Sequence, residues 1–240
     1  MSAAADAARA AYRGQSGQAY HGEKRGLPPG AFSWVVRARA ELFQPQVMPG
    51  DAVLELGCGA GWNLAGLSCR RRVGFDVAAH LRPEVEAAGI EFVDSLHPLP
   101  DGSFEVVVCH HALEHVPEPL SLLEAARRLL RPAGLLLLAV PHETQRRYRR
   151  FRADEPNHHL FSWNPQSLGN LLRVAGFEFG EIGLRRYGYD RRAAWLAHRS
   201  HAGELGYRWI RAGLQRVVPL YEVSVIARPS ARDVSEGTAS

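Results

Sequence analysis

Apolar and polar positions follow two rhythms along this chain. Short apolar runs at residues 52–56, 72–75, 90–93, 104–109 and 135–140 read as buried strands, FEVVVC at 104–109 most clearly. Helical spacing fills the gaps at 84–88, 119–130 and 167–174, and Gly176 stops the last of these. Upstream, Phe32, Val35, Val36, Ala40, Leu42 and Phe43 lie on one side of an amphipathic helix predicted over 31–47 and ended by Gly50 and Asp51. Two more strands, at 177–184 and 221–227, enclose an Arg- and Trp-rich helical insertion at 190–218. Short strands alternating with helices predict an α/β fold on a doubly wound, mostly parallel sheet. An N-terminal helical arm and the insertion before the last strand would flank that sheet. Residues 1–30 lack periodicity as far as Pro28-Pro29-Gly30 and read as a flexible arm able to order over a ligand. Residues 229–240 read as a disordered tail, so the folded domain is predicted over 31–228.

Composition narrows the class. A chain of 240 residues with 46% hydrophobic positions can bury one substantial core, and 22% charged residues argues against wholesale disorder. The net charge of +4 comes mostly from arginine and favours an anionic substrate or partner. Cys58, Cys69 and Cys109 form no C-x-x-C pair and read as reduced thiols of a cytoplasmic protein. The N-terminus lacks the apolar core of a secretory signal, and GLLLLAV at 134–140 is too short to span a bilayer. No membrane attachment is expected, and nothing indicates an oligomeric state.

Candidate chemistry begins after the first strand. ELGCGAG at 55–61 puts Gly57, Gly59 and Gly61 in a G-x-G-x-G turn, where missing side chains let the backbone approach a ligand. The third glycine of a dinucleotide fingerprint would fall at Trp62, whose indole argues against a seated pyrophosphate. Asp76 ends the second strand, where a carboxylate can accept two hydrogen bonds from a ribose diol. Asp94 ends the third, placed for an adenine amino group. Either acid alone could be a helix cap. A glycine turn and two acids at three successive strand ends are not explained by caps.

With these motifs, residues 50–180 resemble the class I S-adenosylmethionine (SAM)-dependent methyltransferases, in ELGCGAGW, GFDV, FVDS, LPDGSFEVVVCHHALEHVPEP and GLLLLAVP. The resemblance implies a Rossmann-like fold with SAM as cofactor. It implies that Glu55, Gly57, Gly59 and Gly61 line the methionine and ribose part, while Asp76 holds the ribose hydroxyls. Val77 would lie against the adenine, Asp94 and Ser95 would read its edge, and His110 would sit beside the cofactor. The short link from Gly61 to Asp76 departs from the family and predicts a stubby first helix.

At the reacting end, methyl transfer from a sulfonium mainly requires an aligned nucleophile. A hydroxyl acceptor must also lose its proton, to a base worth roughly 10²–10⁴-fold or with help from a metal. In H-x-x-E-H, a helical turn starting at His111 would put His111, Glu114 and His115 on one face. A zinc protease carries a similar string, but here it follows a strand at the cofactor cleft. Ubiquinone-pathway O-methyltransferases and small-RNA terminal ribose methyltransferases carry E-x-x-E-H at this place. The resemblance implies a divalent metal on His111, Glu114, His115 and the downstream His159 of HHLFSW. With His111 in place of a carboxylate, the site would prefer zinc, iron, cobalt or manganese over magnesium. A packing histidine in L-E-H-V is the alternative, with His111, His115 or His142 as a simple base. His158 reads as a solvated neighbour.

The run Arg146-Arg147-Tyr148-Arg149-Arg150-Phe151-Arg152 would flank the substrate mouth. It suits a phosphate, a carboxylate or a nucleic acid strand, or simply a solvated face. The expected function is O-methylation of a small polar hydroxylated molecule. Rivals are ribose methylation of RNA or a nucleotide, metal-free N- or C-methylation, and SAM binding without catalysis.

Overall fold

The computed structural model describes residues 10–145, 149–152, 155 and 157–231, with the side chains of 20 and 23–25 left outside. Helices α1 (Gly14–Arg25) and α2 (Phe32–Phe43) come first. Then follow β1 (Ala52–Leu56), β2 (Arg71–Phe75), α3 (Arg82–Ala87), β3 (Glu91–Val93), β4 (Phe104–His110), α4 (Pro119–Leu129) and β5 (Leu130–His142). The chain continues as α5 (Pro165–Val174), β6 (Phe177–Tyr187), α6 (Asp190–Arg199), α7 (Gly203–Val217) and β7 (Leu220–Pro229).

The strands form one sheet in the order β3-β2-β1-β4-β5-β7-β6. Strands β1 to β5 pair in parallel, and β7 runs antiparallel to both β5 and β6. Every residue of β1 is buried, as expected of a strand covered on both faces. One core centred on Leu54, Leu56, Phe104 and Leu136 lies on one face of the sheet. A second, with Val53, Val106, Val108 and Leu64, lies on the other. The strand order reverses between β1 and β4, which opens a crevice at their carboxyl ends.

The predicted insertion is a pair of helices, α6 and α7. Ala193, Ala194, Ala197 and the fully buried Tyr207 pack on Ala31, Val35 and Ala38 at α2. Asp190 ties this layer together, accepting from Tyr207 Oη (3.2 Å) and Arg39 Nε (3.1 Å), with Arg211 Nε 2.7 Å away. Arg39 is thereby held at the crevice wall.

Residues 14–25 of the N-terminal arm are helical, although GQSGQAYHGEKR carries no apolar stripe. Two expectations are corrected. The stubby helix after the glycine turn is absent, residues 57–70 forming only turns and bends. Pro229, the first residue of the expected tail, belongs to β7, and residues 232–240 lie outside the described ones.

Candidate active site

The glycine turn lies at the carboxyl end of β1, with all three glycines at positive φ: Gly57 (74°), Gly59 (51°) and Gly61 (73°). A Cβ on Gly59 would meet nothing within 4 Å, so that position opens into the crevice. A Cβ on Gly57 would strike Ala112 Cβ at 2.5 Å, and one on Gly61 would strike Ile90 Cδ1 at 2.7 Å. Gly57 and Gly59 line the crevice, whereas Gly61 serves the packing behind it.

Glu55 is fully buried on β1. Burial pushes its carboxyl up to about 8, opposed by the hydrogen bond from Asn63. Asn63 Nδ2 donates to Oε1, while Oε2 is buried without a partner among the described residues. An orphaned buried oxygen beside an open glycine turn fits a site that completes itself on a ligand. Trp62, Asn63 and Arg39 line the same end.

Asp76 closes the turn from β2. Its Oδ2 accepts from Gly59 N (2.7 Å) and its Oδ1 from Ala78 N (2.8 Å), leaving further lone pairs for a diol. Burial raises its pKa, against the pull of those backbone donors. Beyond it, Phe75, Val77, Asp94, Ser95 and Leu122 line an adjoining hollow of about 420 Å³ suited to a flat base. Asp94 is at the rim, 3.4 Å from Arg82 Nη2. Tyr12 and His21 come over the crevice from the N-terminal segment.

The H-x-x-E-H string does not fold as one helical turn. His111 sits in the left-handed region at φ 52°, and a short 3₁₀ turn begins only at Leu113. This separates His111 from Glu114 and His115. His111 Nε2 instead lies 2.8 Å from Glu222 Oε2 on β7, in a group with His110. His110 lines the crevice wall. His142 does not line the crevice, and its Nδ1 lies 3.1 Å from the Trp163 carbonyl. His158 is exposed.

Glu114, His115 and His159 do converge, with one ligand atom from each lying within 4.8 Å of the others. Both histidines aim Nε2 at Glu114 Oε1, at 3.7 Å for His115 and 4.0 Å for His159. Bonds of ~2.1 Å at tetrahedral angles would bring ligand atoms to about 3.4 Å, a small adjustment. Their Nδ1 atoms are also engaged, His159 with Glu143 Oε1 (2.7 Å) and His115 with Tyr12 Oη (2.8 Å). The Tyr12 hydroxyl donates to the carbonyl of His158 (3.3 Å), leaving its oxygen to accept Nδ1–H. The segment bearing His159 is docked by Leu160 N and Phe161 N, which both donate to the Glu114 carbonyl.

The methyltransferase-domain profile matches residues 29–181, which contain the glycine turn, both strand-end acids and this cluster. The chain belongs to the methyltransferase-domain family. It is a SAM-dependent methyltransferase. A ubiquinone biosynthesis O-methyltransferase of Xanthomonas campestris is 27% identical to this methyltransferase over 183 residues, 66% of this chain and 75% of the relative. A SAM-dependent methyltransferase from Aquifex aeolicus superimposes with a TM-score of 0.55, at 16% identity, covering 86% of this chain and 97% of that one. Phosphoethanolamine N-methyltransferase 2 of Haemonchus contortus, solved with S-adenosylhomocysteine, superimposes with a TM-score of 0.56 at 13% identity. The match covers 83% of this chain and 56% of that one. One fold thus serves both oxygen and nitrogen acceptors, and the acceptor must be argued from the site.

Sequence reasoning missed Tyr12, Arg39, Glu143, Arg185 and Glu222. Only Glu143 lay near a motif, one residue beyond His142. Among the described residues no helix of this methyltransferase is long and apolar enough to cross a membrane.

Proposed function

We propose that this methyltransferase acts on a hydroxyl oxygen of a small polar acceptor, held by a divalent cation on Glu114, His115 and His159. The observation that carries the reading is the convergence of both Nε2 atoms on Glu114 while Glu143 and Tyr12 engage both Nδ1 atoms. Metal-binding histidines characteristically have their second nitrogen oriented in this way. Two imidazoles and one carboxylate suit zinc, iron, cobalt or manganese and leave positions open for an acceptor oxygen. A bound cation would supply Lewis acidity that favours the deprotonated hydroxyl. The cluster lines one hollow with Gly57 and Gly59, so an acceptor held there would adjoin the cofactor's glycine turn. The distant ubiquinone-pathway relative supports oxygen over nitrogen.

With SAM and manganese, the protein is expected to methylate catechols or sugars in a mixed panel and to spare matched amines. Products confined to amines would remove the hydroxyl reading. Replacing Glu143 by Gln should weaken manganese binding by roughly 10–100-fold, measured calorimetrically. An unchanged affinity would remove Glu143 from the metal's support.

A nucleic acid acceptor is the second reading. Arg149 and Arg150 are exposed beside Phe151, whose exposure is 93%, while Arg146, Arg147 and Tyr148 lie outside the described residues. If RNA is the acceptor, changing Arg149 and Arg150 to Ala should weaken RNA binding and flatten its salt dependence. If RNA binding is absent in the unaltered protein, the reading ends.

A further inference from the structure

A second polar cluster lines the same crevice, built on a carboxylate outside the family's motifs, and the proposed cation does not use it. Its centre is Glu222, fully buried on β7. Antiparallel pairing sets Glu222 directly across from Arg185 on β6 and from Pro141 on β5. Arg185 Nε and Nη2 both lie 2.6 Å from Oε1. The other oxygen faces the end of β4, where His111 Nε2 is at 2.8 Å and His110 Nε2 at 3.3 Å. Burial raises the Glu222 carboxyl, but the two histidines outweigh it and hold the group well below the usual carboxylate range. Ionised Glu222 can only accept, so His111 carries its proton on Nε2.

Glu222, His110 and Tyr187 hold the His111 ring. The His110 ring stacks on it at 4.3 Å, and Tyr187 meets it edge-on at 4.6 Å. Burial, followed by His110, pushes its pKa down to about 4 against the pull of Glu222. Its ring is therefore neutral at physiological pH. Nδ1 then has no hydrogen on it, makes no hydrogen bond among the described residues and is not buried. The residue lines both hollows that meet at the glycine turn. His110, His111 and Glu222 could also be read as metal ligands. The guanidinium of Arg185 on the same carboxylate opposes a dication there.

Building on the hydroxyl reading above, we infer that His111 Nδ1 takes the acceptor's proton, and that Glu222, tethered by Arg185, is the positioning residue that sets its tautomer. The bound cofactor supplies a methyl on sulfonium sulfur, whose carbon–sulfur bond breaks with its electron pair staying on sulfur. The acceptor oxygen forms the new bond to carbon, and its O–H electron pair remains on oxygen as the proton passes to Nδ1. The resulting imidazolium is paired with ionised Glu222. Glutamate–histidine pairing of this kind orients a base and stabilises its charged form.

The tautomer can be read without turnover. In long-range proton–nitrogen spectra of the cofactor-free protein at neutral pH, His111, assigned by comparison with His111→Asn, should show protonated Nε2 and bare Nδ1. Asparagine tolerates the left-handed backbone at this position. A proton on Nδ1, or an imidazolium, overturns the proposal. Glu222→Gln should shift the tautomer balance, and an unshifted spectrum overturns the role of Glu222. With 3,4-dihydroxybenzoate as probe, His111→Asn should lower kcat roughly 100-fold or more while KM stays within about threefold and SAM affinity holds. Wild-type turnover, or equal losses in kcat and SAM affinity, overturns the base assignment. Methylation confined to amines overturns the hydroxyl reading and the proton transfer with it, yet leaves the His111 tautomer as found. The two failures are thus distinguishable.

Discussion

Dialysis against a chelator is expected to lower methyl transfer to a phenolic acceptor by roughly 10²–10³-fold while SAM affinity stays constant. The size follows from the acceptor's acidity. A phenol with a pKa of about 10 is largely protonated at neutral pH, and a coordinated dication can lower that value by several units. The selectivity follows from geometry. Glu114, His115 and His159 form the cluster, and of these only His115 also lines the hollow with Asp76 and Val77, where the cofactor's ribose and adenine are expected. His115→Ala should reproduce the loss, because it removes one of two imidazoles and vacates the contact with Tyr12. Manganese or zinc added back should restore the unaltered protein and fail to restore the variant. Labelled-methyl transfer and calorimetry with S-adenosylhomocysteine measure the two arms. Full turnover by metal-stripped protein would end the metal reading and leave proton removal to His111.

Asp76→Ala should weaken SAM binding by at least tenfold, measured by calorimetry. The expected contribution comes from charge-assisted hydrogen bonds to the ribose hydroxyls, each worth roughly 1.5–3 kcal/mol. The structure adds a second route to the same loss. Asp76 also accepts the backbone N–H groups of Gly59 and Ala78, so the variant loosens the turn that approaches the cofactor. A thermal melt without ligand separates the routes. A melting temperature near that of the unaltered protein, with weaker binding, assigns the loss to the missing ribose contacts. A large drop in both assigns it to the turn. Unaltered affinity would sink the assignment of Asp76.

The cofactor end was legible because it is local. A parallel sheet puts its ligand crevice at strand ends, so Gly57, Asp76 and Asp94 could be placed by finding where each apolar run stops. Gly61 was legible as part of the motif but not in its role, which depends on Ile90 arriving from another part of the chain. The reacting end was legible in composition and misleading in geometry. The H-x-x-E-H spacing assumes helical dihedrals, and a single positive φ at His111 breaks that assumption.

The chain's own pattern settled the α/β class, the parallel strands and the family, and placed the glycine turn and two acids at strand ends, because periodicity and strand-end chemistry are properties of short stretches. Tertiary structure alone decided which side chains share a proton or could share an ion. Glu222 reaches His111 across 111 positions of sequence because β7 inserts antiparallel between β5 and β6. Tyr12 reaches His115 across 103 positions because the N-terminal segment returns over the crevice. No local rhythm encodes such pairs. They arise when strand order and register bring distant polar groups together in a desolvated place, where leaving them unpaired would cost several kcal/mol by order of magnitude.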